Sequence, residues 1–205
     1  MPQRKRFIAV AGNIGAGKTE LVGFLCRRYG LTPFFEPNDT NPYLADFYKD
    51  MKAWAFQSQI YFLTHKFRLH RELEKSPGPV VQDRTIYEDA EIFARNLYQQ
   101  RLMSKRDWQT YCELYDVISK SLEPPDIMIY LQAGVRTLRK RIKGRGRAME
   151  ADMPVNYLKR LNSFYEDWFS RYTLSPVLRI STDKLDYVTD LVDQLDLLKQ
   201  IEKYL

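Results

Sequence analysis

Phe7-Ile8-Ala9-Val10-Ala11 runs directly into Gly12-Asn13-Ile14-Gly15-Ala16-Gly17-Lys18-Thr19, and the reading of the chain turns on this segment. The first five residues form a continuous apolar run, the pattern of a strand buried on both faces of a parallel sheet. The next eight fit G-x-x-x-x-G-K-[ST], a glycine-rich turn that opens a helix. Such a turn aims several backbone N–H groups and the positive end of the helix dipole at one point, which suits a polyphosphate. Lys18 reaches the terminal phosphates, and the Thr19 hydroxyl can ligate Mg²⁺. The segment implies that Gly12 through Thr19 bind a nucleoside triphosphate; a turn that merely joins two elements is the plain alternative.

Outward from this loop, 205 residues suit one domain over 1–205 and leave too little chain for a second catalytic unit. No run of eighteen apolar residues occurs, and the basic start Met1-Pro2-Gln3-Arg4-Lys5-Arg6 leads into the first strand without a signal-cleavage pattern. A soluble cytoplasmic protein without membrane contact is therefore expected. Cys26 and Cys112 are far apart with no CxxC spacing, which speaks against a zinc site or disulfide framework and predicts reduced core thiols. The formal charge of +6 favours anionic partners but does not choose among nucleotides, nucleic acids and acidic membranes.

Short apolar runs alternate with longer amphipathic ones, as in an α/β fold around a parallel sheet. Strands are predicted at 6–11, 32–35, 79–83, 126–131 and 177–180. Helices are predicted at 17–29, 42–75, 86–121, 134–143, 154–172 and 187–204. Ligands in such a sheet bind at the carboxyl ends of the strands, so the residues just past each strand carry the chemistry. There stand the phosphate loop, Glu36-Pro37, Asp83-Arg84 and the arginine-dense run from Arg136 to Arg147. Phosphoryl transfer needs such a set: a base, a metal ligand, and positive charge around the moving group.

Each of these has a bland alternative. Glu36 is a general base for an acceptor hydroxyl or a solvated loop acid. Asp83 and Arg84 offer a Mg²⁺ contact and a bridging cation, or a strand-end ion pair. Arg141, Arg145 and Arg147, the last two in a glycine-flexed loop, suit a mobile lid over phosphates, or form a solvated basic face. A nucleic-acid patch would interleave stacking aromatics, and none occurs between 131 and 156. The rings from Tyr43 to Phe67 fit helical core spacing, with Gln57 and Gln59 among them; His65 and His70 read as surface or packing residues.

These residues together resemble the deoxyribonucleoside kinase family over nearly the whole chain, bacterial purine deoxynucleoside kinases in particular. The match rests on Gly12–Thr19, Glu36-Pro37, Trp54-x-x-x-x-Gln59, Asp83-Arg84-Thr85, Arg141-x-x-x-Arg145-x-Arg147 with Glu150, and the string Tyr87-Glu88-Asp89-Ala90-Glu91-Ile92-Phe93. The resemblance implies a P-loop kinase fold, three-layer α/β/α with a five-stranded parallel sheet and an arginine-rich lid around 141–150. It makes Glu36 the base for a 5′-hydroxyl, with Arg84 holding it and the phosphates. Thr19 and Asp83 would serve Mg²⁺, with Asp83 one methylene shorter than the glutamate of some branches. Lys18, Arg141, Arg145 and Arg147 would hold the phosphates of ATP, and Asp186-Tyr187 would cup the donor base. Tyr48 and Glu150 would take the sugar, and Gln59 the nucleobase. Lys66 stands where purine- and cytosine-preferring members carry an arginine, with Asp89 as its acidic partner; this favours deoxyadenosine, then deoxyguanosine or deoxycytidine. The family also implies a homodimer, for which the apolar spacing within 86–121 leaves room.

Two rivals remain open. A nucleoside monophosphate kinase shares the loop, sheet and arginines, but Glu36 would repel an acceptor phosphate. A nucleotide-dependent switch would need a D-x-x-G after the third strand, which is missing, and Thr182-Asp183-Lys184-Leu185-Asp186 only superficially matches a guanine-reading motif.

Overall fold

The computed structural model describes residues 6–35, 41–147, 150, 153–185 and 190–203. Its strands are β1 (Phe7–Gly12), β2 (Thr32–Phe34), β3 (Val80–Asp83), β4 (Ile127–Gln132) and β5 (Val177–Ser181). They form one parallel sheet in the order β2-β3-β1-β4-β5, so all five predicted strands are present to within a residue or so at each end. Hydrophobic pattern decides the order. β1 and β3 are buried throughout, as central strands of a covered sheet must be. β2 exposes Thr32 and Pro33, and a proline that cannot donate to a ladder is tolerated because β2 pairs only with β3. Register then sets the site: Val10 pairs with Asp83 and Gly12 with Leu131, which brings the carboxyl ends of β1, β3 and β4 to one edge.

Around the sheet lie α1 (Lys18–Tyr29), α2 (Leu44–Lys49), α3 (Met51–Lys75), α4 (Ile86–Glu88), a π-helical segment (Asp89–Ala94), α5 (Arg95–Gln99), α6 (Lys105–Ser119), α7 (Val135–Arg145), α8 (Val155–Arg171) and α9 (Leu191–Glu202). Two predicted helices are broken. The stretch 42–75 divides at Asp50, whose carboxylate leaves the helical path to accept the N–H groups of Lys52 and Ala53 and so starts α3 afresh. The stretch 86–121 divides between α5 and α6, where Arg101 turns left-handed at φ 58° and Ser104 accepts the Asp107 N–H as the cap of α6.

α3 carries its function on its buried face. Ala55, Gln59, Leu63, Lys66, His70 and Leu73 recur every three or four residues and all are buried, so one stripe holds both core and polar groups. α8 buries Tyr157, Leu158, Leu161, Tyr165, Trp168 and Phe169 in the same way. Cys26 and Cys112 are free thiols, half-buried rather than in the core as expected. His70 is fully buried, with Nε2 2.9 Å from the Glu123 carbonyl, while His65 stacks on Tyr61. Among the described residues no helix is long and apolar enough to cross a membrane.

Candidate active site

β1 ends in the phosphate loop, and two of its glycines are required twice over. Gly12 has φ 153°, and a Cβ there would stand 2.8 Å from the Leu131 carbonyl oxygen. Gly15 has φ 81°, and its Cβ would meet the Leu138 carbonyl oxygen at 2.9 Å. Lys18 opens α1, is buried, and donates from Nζ to the Asn13 carbonyl at 3.1 Å, which holds its charge over the loop. The Asn13 side chain is engaged within the protein. Its Nδ2 donates to the Leu158 carbonyl and to Asn162 Oδ1, and its Oδ1 accepts the Ile14 N–H, so it pins the loop to α8.

The two residues expected to serve a metal meet. The Thr19 hydroxyl donates to Asp83 Oδ2 at 2.6 Å, and Asp83 Oδ1 is buried with no hydrogen-bond partner among the described residues. A carboxylate oxygen left bare beside a hydroxyl fits a hard divalent cation such as Mg²⁺, which commonly takes one carboxylate and leaves its other positions to phosphates and water. No cluster of three or more His, Cys, Asp or Glu side chains that could hold a metal occurs among the described residues.

Arg84 follows directly, at φ 61°, a left-handed conformation that costs a non-glycine residue about 1–3 kcal/mol and persists where the surroundings impose it. Its N–H donates to the Val10 carbonyl, Nη2 donates to the Gly12 carbonyl at 3.3 Å, and the guanidinium lies 4.4 Å over the Phe93 ring. Beneath it sits Glu88, fully buried, which the sequence reading passed over. Glu88 Oε1 accepts the Gly12 N–H at 3.2 Å and lies 3.8 Å from Arg84 Nε, while Oε2 accepts the Thr85 N–H at 2.9 Å. The Tyr165 hydroxyl lies 2.8 Å from Glu88 Oε1 and 2.9 Å from the Gly12 carbonyl oxygen. Burial pushes the Glu88 carboxyl up, against the pull of Arg84, Lys66 and Lys18 toward the charged form. The sequence signal for Glu88 is the Thr85-x-x-Glu88 spacing of a capping box at the start of α4.

Two concave spaces open on either side of the loop. The first is lined by Lys18, Asp83, Arg84, Tyr48, Gln59 and Asp89, with Phe47, Phe62 and Phe93 among the apolar walls. Gln59 is buried, and its Oε1 has no hydrogen-bond partner among the described residues. Asp89 begins the π-helical segment, a local widening often found at functional sites. Lys66, expected beside a substrate, is not part of this lining. It is fully buried behind that lining, with Nζ 3.3 Å from Asp89 Oδ1. Lys66→Met is therefore expected to destabilise the fold by about 3–5 kcal/mol in urea unfolding, because it strips a buried carboxylate of this cation. A loss under about 1 kcal/mol would mean that the pair is not charged in the native state.

The second space is lined by Lys18, Thr19, Arg136, Lys140, Arg141 and Lys184. Arg141 is tied into the protein: Nη1 donates to the Ala16 carbonyl and Thr182 Oγ1, and Nη2 to the Thr182 carbonyl at 2.7 Å. It thus braces the loop from the side. α7 runs through Arg145, so Arg145 ends a helix rather than lying in a loop as predicted. Arg145 lines both spaces and pairs with Glu150, which also meets Arg147 at 3.5 Å. Glu36, Asp186 and Tyr187 lie outside the described residues, as do Ala148 and Met149 of the expected lid.

A parallel sheet of this order, a phosphate loop on its central strand, and an acid-arginine pair at the end of the next strand define a P-loop kinase. The chain belongs to the deoxynucleoside kinase family: the family model described as deoxynucleoside kinase matches residues 8–205. It is 36% identical to a deoxyadenosine/deoxycytidine kinase of Bacillus subtilis, over 94% of this chain and 92% of that one. It is 41% identical to a deoxyadenosine kinase of Dictyostelium discoideum, over 85% of this chain and 71% of that one. The structure of a deoxyadenosine kinase from M. mycoides with bound dATP superposes with a TM-score of 0.83 at 30% identity, over 97% of this chain and 99% of that one.

Proposed function

We propose that this chain transfers the γ-phosphoryl group of ATP to the 5′-hydroxyl of a deoxyribonucleoside, preferring deoxyadenosine, then deoxyguanosine or deoxycytidine. The observation that carries the reading is the first space, where a buried Gln59 carbonyl without a partner among the described residues and the Asp89 carboxylate share one lining with Lys18, Asp83 and Arg84. A nucleobase would meet the first pair while a hydroxyl of its sugar lies toward the second group. A carboxylate can only accept, so Asp89 suits a base bearing an exocyclic amine and disfavours thymine, whose 4-oxygen would face it. The names of the relatives support adenine first.

In this reading Glu36 takes the proton of the 5′-hydroxyl, and Tyr48 and Glu150 hold the sugar. Lys18 and the loop amides hold the donor phosphates, Arg84 bridges the two substrates, and Arg145 and Arg147 close from the lid. When bound, Mg²⁺ would offset phosphate charge, held by Thr19 and Asp83. The second space takes the donor, and Asp186 and Tyr187 cup its base. A monophosphate acceptor is disfavoured because a Glu36 carboxylate at the acceptor would repel its phosphate.

The test is phosphate transfer from ATP and Mg²⁺ to each of the four deoxynucleosides and their monophosphates, with products separated by chromatography. Fast formation of dAMP supports the reading, thymidine preference would overturn the account of Asp89, and transfer only to monophosphates would overturn the acceptor. The protein would act in the cytoplasm, without nucleic acid, as a homodimer joined through α6, where Leu114 and Val117 are exposed, Val117 to 71%. Light scattering should then give twice the chain mass of 24.4 kDa; a single chain mass would remove the dimer.

A further inference from the structure

The first glycine of the phosphate loop is gripped from beneath by a carboxylate and a phenol that take no direct part in the proposed transfer. Every polar atom of Gly12 is engaged by a side chain: its N–H donates to Glu88 Oε1, and its carbonyl oxygen takes Arg84 Nη2 and lies 2.9 Å from the Tyr165 hydroxyl. We propose that Glu88 and Tyr165 are positioning residues for phosphate transfer, which hold Gly12 and the Arg84 guanidinium in their working arrangement before nucleotide binds. The proposal rests on the kinase reading above.

Two features separate this role from simple helix capping. The capping contact uses Oε2, which accepts the Thr85 N–H three residues back, and would serve α4 alone. Oε1 instead reaches across the chain to Gly12 and Tyr165, the latter brought from α8. The Gly12 and Thr85 N–H groups donate to the two oxygens of one carboxyl, which suits the ionised, acceptor-only form, and the single Tyr165 O–H is shared between Oε1 and the Gly12 carbonyl oxygen. That charge lies 3.8 Å from Arg84 Nε, in a region where Lys18 and Lys66 add further positive charge. Cations gathered for a triphosphate repel one another when buried without it, and a fixed anion beneath them lowers the cost of keeping them in place. Tyr165 fixes the orientation of that anion. Its own hydroxyl is held well above the usual phenol range, by burial first and by Glu88 next, so it stays protonated and remains a donor.

The test compares the wild-type chain, Tyr165→Phe and Glu88→Gln in steady-state transfer from ATP to deoxyadenosine, with thermal melting of each. Tyr165→Phe removes one hydroxyl and leaves both amide contacts of Glu88 intact. It is expected to melt within a few degrees of wild type, to lower kcat about five- to tenfold, and to leave the deoxyadenosine KM within about twofold. Glu88→Gln keeps the volume, removes the charge, and is expected to lower kcat about 10²-fold. Loss of melting temperature with kcat and both KM values unchanged in Tyr165→Phe would show a purely structural role and overturn the proposal. Should Glu88→Gln fail to fold, Tyr165→Phe decides alone. A wild-type chain that transfers nothing to any deoxynucleoside overturns the kinase reading and this inference with it, and that result is seen before any substitution is compared.

Discussion

Arg84→Ala is expected to lower kcat/KM by about 10³-fold while the protein stays folded, the scale at which phosphoryl transfer responds to loss of a transition-state arginine. The expectation follows from position. Arg84 is buried, sits at the carboxyl end of β3, and lines the same space as Lys18, Asp83 and Gln59. Its left-handed backbone aims the side chain back over the loop, where Nη2 reaches the Gly12 carbonyl and the guanidinium rests on Phe93. A planar fork can hold a phosphate oxygen from one nitrogen while another keeps its protein contact in a fixed plane, a geometry that the single nitrogen of an ammonium does not reproduce. Arg84→Lys should therefore stay within about tenfold of the alanine variant, although it keeps the charge. Initial rates at saturating substrates, set beside melting temperatures, check both variants. Turnover within about tenfold of wild type in Arg84→Ala, together with a large drop in melting temperature, would reduce Arg84 to a structural ion pair.

The parts of this site that the sequence discloses are those set by local pattern. Apolar runs bounded by turns mark the strands, and Gly12 through Thr19 need no partner to be read, because the loop's chemistry lies in consecutive backbone groups. Asp83 and Arg84 follow from the rule that ligands bind past strand ends. What pattern leaves hidden depends on contacts between distant segments. Glu88 and Tyr165 are 77 positions apart and meet only because α8 packs over the helix start that follows β3. Lys66 shows its register on α3 but not its depth: the sequence places it near Asp89, and only packing sets it behind that acid and out of the cavity. The break between α5 and α6 was missed because no glycine or proline marks it; Arg101 takes a left-handed conformation that its residue type does not announce. Ser104 and Asp107, a serine with an acid three residues on, were the available clue.

Asp83→Asn should separate activity from stability more sharply than any other change. Asp83 Oδ2 accepts the Thr19 hydroxyl, but Oδ1 is buried with nothing to bind among the described residues. Burying a carboxylate oxygen in that state costs free energy when no cation is present, on the order of 1–3 kcal/mol for an unsatisfied group. Asparagine has the same shape and no charge to desolvate, so the variant is expected to melt at or above the wild-type temperature without Mg²⁺. Turnover should move the other way. Loss of a metal-ligating charge removes several kcal/mol of phosphate charge stabilisation, which corresponds to a fall in kcat of about 10²–10³-fold. Ligands that bind only the native state raise its melting temperature, so Mg²⁺ with ATP should raise that of the wild type more than that of Asp83→Asn. Melting scans with ATP, with and without Mg²⁺, together with initial rates over a Mg²⁺ titration, give all three readouts. An asparagine variant that is clearly less stable without metal, or that keeps wild-type turnover at low Mg²⁺, would show that the Asp83 carboxylate serves the fold and not the cation. A variant that is stable, inactive and indifferent to Mg²⁺ would tie the bare oxygen at the end of β3 to the ion that phosphoryl transfer requires.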